Sequence, residues 1–421
     1  MIRFKNTLLT TGFYRNAITL LKGSILSQLL PIIISPLLTR LYSPSEFGVL
    51  AVFTSISTIL GSVINGRYEQ ALVLVRSKNE AQLITALSLL ISFVGSGILF
   101  FLFLFVGPNL MQWLNISELE NWFYYIPLVV FSIGFYNTLN YYELRKKQFK
   151  SISNSEVSRS ISLSAIQLLY PFLKTGFQGL IIGKIISSFI APLYLLRNAN
   201  ISFDEFRFKK MLVIAKRYID FPKYTNSSIL LNNLSLNAIL LIIPIIYSSS
   251  ILGLYSLMMK VMGTPFAFLG NSVNQVFLEH VARQKRETGN AFKITKQILI
   301  QLTILSVFSY GIAAFFMEDL FAFIFGEEWR LSGVYGVCLI PYFILKFIVS
   351  PLTSIHTAFE KQKLGFKLQI LMFILSLTSI VFAYLHHWTF INYLHLFSAL
   401  LSIFYILRMI IILRISKNIG I

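Results

Sequence analysis

The chain has 421 residues, 56% of them hydrophobic and 13% charged, with a mean hydropathy of +0.71. Soluble domains carry about 25% charged residues, so water is excluded as the main solvent and the bilayer takes its place. A single cysteine, Cys338, excludes an internal disulfide and a thiolate metal site, and the formal charge of +19 takes its meaning from its placement in loops.

In chain order, Arg3, Lys5, Arg15 and Lys22 accompany a first apolar stretch from Ala17 to Thr39. It is too long for the apolar core of a signal peptide and runs into Arg40 with no small-x-small cleavage site, so it is expected to be an uncleaved first span. A spanning helix needs about 20 mostly apolar residues, because its backbone groups find no water to bond. By this measure eleven further segments follow. They are Glu46 to Gly66, Ala81 to Val106, Trp122 to Tyr142, Ser155 to Leu173, Phe177 to Leu196, Tyr224 to Tyr247, Ile251 to Phe277, Ala291 to Met317, Leu331 to Ile355, Phe366 to Leu385 and Ile391 to Leu413. The second is diluted by Ser and Thr, and the eighth contains Lys260.

Alternate loops are basic. They carry Arg67, Arg76 and Lys78; Arg145, Lys146, Lys147 and Lys150; Arg197 through Lys223; Arg283, Lys285, Arg286 and Lys293; and Lys361, Lys363 and Lys367. The intervening loops hold little beyond Arg40, Lys174 and Arg330, and Trp113, Trp122, Trp329 and Trp388 lie in or beside them. The positive-inside rule then places both termini in the cytoplasm and requires an even number of spans. The outer connections are short, the longest being Gly107 to Asn121, and leave no room for an extramembrane catalytic platform.

SPSEFGVL (Ser43 to Leu50) and SSSILGLY (Ser248 to Tyr255) open the second and eighth segments 205 positions apart. Shifting the first span by that interval lands on the seventh. The expectation is two parallel six-helix repeats, residues 1–200 and 224–421, joined by a basic, partly amphipathic cytoplasmic linker at 201–223, with a central cavity and alternating access.

An ionisable residue in mid-membrane costs about 2.5 to 3.5 kcal/mol on insertion scales. Lys184, Lys260 and Lys346 meet that description, with Lys22 shallower. They either form a cationic cavity for a phosphate or diphosphate, or snorkel to the headgroups on their four-carbon stems. No deep carboxylate is apparent, which leaves the energy source open. Arg67 and Glu69, two apart, are expected to order the loop after the second span. Pro31, Pro36, Pro244 and Pro265 kink spans one, seven and eight and are candidate gating elements. His386 and His387 lack further ligands, and no catalytic motif, metal set or cofactor motif is present.

TRLYSPSEFGVLAVF (Thr39 to Phe53), RYEQALVLV (Arg67 to Val75), FPKY (Phe221 to Tyr224) and LGLYSLMMKV (Leu252 to Val261) resemble the polysaccharide transporter family of O-antigen flippases. That family is grouped with multidrug and oligosaccharidyl-lipid exporters and the peptidoglycan lipid flippase. The resemblance runs from the first span to the tenth; the last two match only in hydropathy. It implies an all-α polytopic protein and no enzyme: a flippase moving an undecaprenyl-diphosphate-linked oligosaccharide from the cytoplasmic to the periplasmic leaflet of a bacterial inner membrane. The partners implied are the lipid-linked glycan, the bilayer and other polysaccharide-assembly membrane proteins, with no nucleic acid. Competing readings are a multidrug exporter of the same architecture, which favours carboxylates in its cavity, and a membrane-embedded polymerase or acyltransferase, which needs an outer loop or a His/Asp cluster.

Overall fold

A computed structural model describes residues 23–75, 77–114, 119, 121–199 and 208–418. All regular structure among these residues is helical. In order, the helices are α1 (Gly23–Leu41, broken at Ile34), α2 (Pro44–Gly61), α3 (Lys78–Leu114), α4 (Ile126–Arg145), α5 (Phe149–Leu169) and α6 (Gln178–Asn198). Then come the short α7 (Phe208–Arg217), α8 (Ser227–Ile246), α9 (Ser249–Thr288), α10 (Phe292–Phe325), α11 (Arg330–Val349), α12 (Gln362–Leu385) and α13 (Phe390–Ser416).

Each of the twelve predicted segments coincides with one long helix. Nine of these, among the described residues, are long and apolar enough to cross a membrane. The three that fall short are α4, α5 and α9. Their polar content is the reason: α5 has seven serines with Lys150, Glu156 and Arg159, and α9 runs from Lys260 into the basic stretch ending at Thr288. Several helices outrun their apolar cores. α3 continues through Pro108 to Leu114 and shortens the expected outer loop, and α10 continues past Met317 to Phe325. Beyond the hydrocarbon, water satisfies the backbone and helix extension needs no apolar side chains.

The described chain divides into two compact units, 23–42 with 49–241, and 43–48 with 242–418. In the first, polar side chains hold the helices together. Three prolines lack the N–H that would bond the carbonyl four residues earlier, and in each case a serine takes over that carbonyl. Ser160 on α5 donates to the Ser27 carbonyl freed by Pro31 at 2.6 Å. Ser35 donates to the Ile32 carbonyl freed by Pro36, where α1 breaks. Ser132 on α4 donates to the Ser188 carbonyl freed by Pro192 at 2.6 Å. Asn65 adds bonds to the Gly134 carbonyl and Thr138, and Tyr42 reaches the Gln167 carbonyl at 2.8 Å. Small and polar contacts of this kind replace the hydrophobic effect, which lipid tails cannot supply between helices.

The second unit is packed with aromatic rings. Phe266 stacks on Tyr310 at 4.3 Å and meets Phe347 edge-on at 5.2 Å, while Phe390 is approached by Tyr335, Tyr247 and Tyr255. The two SPSEFG-like turns also meet here, in a reciprocal contact. A Cβ on Gly48 would overlap the Ser249 carbonyl, and a Cβ on Gly253 would overlap the Pro44 carbonyl. Pro44 and Ser249, like Gly48 and Gly253, are 205 apart, so the contact obeys the shift that defines the sequence repeat. Ser45 and Ser249 share a hydroxyl hydrogen bond at 3.1 Å beside it.

Candidate functional site: charged groups inside the helical units

In the first unit, Glu156 lies on α5 at the start of the expected fifth span, a carboxylate near a span end rather than a deep one. Its Oε1 accepts from the Tyr136 hydroxyl on α4 at 3.0 Å, and its Oε2 accepts from the Ser24 hydroxyl on α1 at 3.1 Å. One helical turn further on, Arg159 stands over the Tyr136 ring, 5.3 Å from its centroid. Lys184 on α6 is within electrostatic reach of Arg159, and its ammonium has no hydrogen bond among the described residues. Four helices thus bring a carboxylate, a guanidinium and an ammonium into one region. A bidentate-capable arginine parked on an aromatic face keeps its donors available for an incoming anion.

In the second unit, Lys260 sits eleven residues into α9. Met258 and Met262 pack toward Gly336 on α11, and the Met262 carbonyl accepts from Tyr310 on α10. At about 100° per residue, Lys260 falls on the opposite face of the helix. It makes no ion pair among the described residues. Lys346 on α11 donates to the Tyr342 hydroxyl at 3.0 Å and stands 5.1 Å from that ring's centroid. Arg408 on α13 lies near Tyr405 and stacks on Phe404 at 6.0 Å. Lys184 is therefore in one unit, and Lys260 and Lys346 are in the other.

Lys22 lies outside the described residues. Pro31 and Pro36 lie in α1, which breaks before Pro36, while Pro244 and Pro265 lie inside α8 and α9. Arg67 adopts a left-handed conformation (φ 60°) that opens a 3-10 turn, Tyr68–Val73, and its guanidinium meets Glu69 at 3.5 Å. Glu69 is fully buried, and its second oxygen has no partner. Burial pushes its carboxyl above the ordinary carboxylate range, against the opposing pull of a backbone hydrogen bond and Arg67. This turn packs against a π-helical turn at Phe221–Asn226, so the RYEQ and FPKY segments form one structural platform. Arg217 and Tyr218 tie its neighbour α7 to Glu80 at 2.8 and 3.0 Å.

Sequence reasoning passed over Glu156, Arg159 and Arg408, although each lies within a predicted span. The cost criterion that marks Lys260 marks these as well. Their places near span ends made them look interfacial, and their partners lie far away in sequence.

The fold is shared by solved membrane transporters. The chain superposes on an inward-facing multidrug resistance MATE family transporter of the MOP superfamily with a TM-score of 0.73 at 13% identity, covering 92% of this chain and 94% of that one. It matches the lipid II flippase MurJ, in an inward closed conformation, with a TM-score of 0.73 at 13% identity over 95% and 90% of the two chains. A eukaryotic MATE transporter gives 0.61 at 15% identity over 95% and 96%. No curated protein sequence matches. The class that the fold defines is thus a multi-pass, all-α membrane protein. Within it, the chain belongs to the polysaccharide biosynthesis protein family, whose pattern matches residues 37–333. That match contains all four motif segments and ends at the start of the tenth span, in line with the weaker likeness of the last two.

Proposed function

We propose that the protein is a flippase that carries a polyprenyl-diphosphate-linked oligosaccharide, the repeat unit of a surface polysaccharide such as O-antigen, from the cytoplasmic to the periplasmic leaflet of a bacterial inner membrane. Family membership supplies the glycan context. Lys260, mid-membrane and without a counter-charge, is the observation that carries the reading. An unpaired ammonium at that depth is a persistent cost unless an anion visits it. In this account the chain has two six-helix halves, residues 1–200 and 224–421, and Lys184, Lys260 and Lys346, with Lys22 nearer the cytoplasmic end, attract the diphosphate. The sugar follows through an aqueous interior while the prenyl tail stays in lipid. The 201–223 segment lies on the cytoplasmic surface, both termini are cytoplasmic, and the prolines of spans one, seven and eight flex as access alternates.

Glu156 supplies what coupling to an ion gradient requires, a carboxylate within the bundle with hydroxyl partners on two neighbouring helices. A drug exporter of this fold is the second reading; it predicts efflux of organic cations, which the unanswered lysines repel. Deleting the gene tests the proposal. The expected result is loss of surface polysaccharide with accumulation of the lipid-linked repeat unit, and an unchanged surface glycan contradicts it.

A further inference from the structure

At the end of the second unit that carries the basic loops, three nitrogenous side chains converge with nothing to neutralise them. Lys346 ends a turn of α11 with the Tyr342 hydroxyl as its hydrogen-bond acceptor. The chain continues through a 3-10 turn (Ser350–Ser354) to His356, which is 5% exposed. Neither ring nitrogen of His356 has a hydrogen-bond partner. Its ring packs near Gly365 at the start of α12 and is within electrostatic reach of Arg408 on α13. The Nε of Arg408 is likewise buried and unpartnered. Tyr405, one turn before Arg408, meets the ring of Tyr342, the partner of Lys346, at 5.9 Å and so joins the two ends of the group. Among the described residues none of the three side chains pairs with a carboxylate; the nearest acidic residue in sequence, Glu360, is bound to Lys285 at 3.3 Å.

A buried polar nitrogen without a partner costs about 1 to 3 kcal/mol, and a buried unpaired guanidinium more. Snorkelling does not relieve the two unpartnered groups, His356 and Arg408: a histidine has no long stem, and Arg408 is held on Phe404. What satisfies them together is one compact multivalent anion. A phosphate oxygen accepts from the guanidinium fork, from imidazole N–H and from ammonium, while the Tyr342 hydroxyl, which accepts from Lys346, keeps its own proton to donate.

We propose that Lys346, His356 and Arg408 form a phosphate-binding site within the second unit, for the phosphate or diphosphate group of a lipid-linked substrate or for the free anion. The proposal rests on the reading of the protein as a carrier of a diphosphate-linked lipid, and it adds Arg408 and His356 as ligands. Lys346 supplies a point charge, Arg408 the planar fork, and His356 a directed donor that orients the group.

Equilibrium binding to the full chain in nanodiscs tests this, with three probes: farnesyl diphosphate, inorganic pyrophosphate and farnesol. Wild type is expected to bind farnesyl diphosphate and not farnesol. Arg408→Gln should weaken that binding tenfold or more, Arg408→Lys, which keeps the charge and loses the fork, should weaken it less than Arg408→Gln does, and His356→Gln should weaken it severalfold; thermal melting checks that each variant is folded. Weakening in the farnesyl arm alone assigns the site to a lipid-borne diphosphate, and equal weakening in the pyrophosphate arm assigns it to the free anion. Unchanged binding in folded Arg408→Gln and His356→Gln overturns the site, and does so without touching the transport reading. Conversely, if gene deletion leaves surface glycan intact while pyrophosphate binding still depends on Arg408, the site stands and the flippase reading falls.

Discussion

In the proposed mechanism the deciding residues are charges placed where lipid physics disfavours them. Lys260 has an apolar neighbourhood and no counter-charge, so replacing it by Ala should abolish substrate movement while leaving expression and melting temperature unchanged or improved. A radiolabelled flipping assay beside a melting curve checks both. Glu156 differs, because two hydroxyls on neighbouring helices depend on it. Glu156→Gln removes the charge, keeps one of the two acceptors and offers an amide N–H where the other hydroxyl can turn to accept; the expected outcome is a folded protein whose transport no longer responds to a proton gradient. Glu69 has a structural part. Its folded pKa is raised above the unfolded value of about 4.3, so the folded state binds the proton more tightly. Its contribution favours folding at low pH and is lost as pH rises from the unfolded pKa through the raised folded one. Glu69→Gln should therefore flatten the fall in melting temperature above about pH 4.3 that wild type shows.

At the scale of helices, the two units use different adhesives. Serine-to-carbonyl bonds across the first unit repair the prolines of α1 and α6, and removing one exposes a carbonyl in a region without water. Ser160→Ala should destabilise the protein by about 0.6 to 1.7 kcal/mol, the range of such bonds inside membranes, measurable by unfolding in mixed micelles. The contact between the turns at Gly48 and Gly253 is less forgiving. Gly253→Val places a side chain on the Pro44 carbonyl and should eliminate folded protein on fluorescence-detected gel filtration. Gly97→Val, where nothing lies within 4 Å of the added carbon, should elute as wild type does.

Helices of this kind were legible in the sequence because long apolar runs admit no other structure in a bilayer, and the 205-residue repeat was legible because close backbone approach demands glycine at Gly48 and Gly253. Helix ends were not legible. Hydropathy follows the hydrocarbon, whereas α3, α9 and α10 stop where their capping and loop residues stop them. Nor was the hydrogen-bonding of Glu156, since Ser24 and Tyr136 come from helices 132 and 20 residues away and only packing joins them.

At the scale of the whole molecule, the alternation of basic and basic-poor loops, the aromatic residues beside the latter and the shared fold agree on a multi-pass membrane protein. Family membership connects it with polysaccharide biosynthesis. The central claim, that the protein moves a diphosphate-linked glycolipid between leaflets by way of unpaired lysines, is tested most directly in proteoliposomes. Purified full-length protein is reconstituted with a labelled undecaprenyl-diphosphate oligosaccharide, and the label reachable by an impermeant glycosidase is followed over time. Wild type should convert an inner-leaflet pool that empty liposomes and Lys260→Ala liposomes leave protected. A pool that stays protected with folded wild-type protein, or one released equally by Lys260→Ala, would contradict the account.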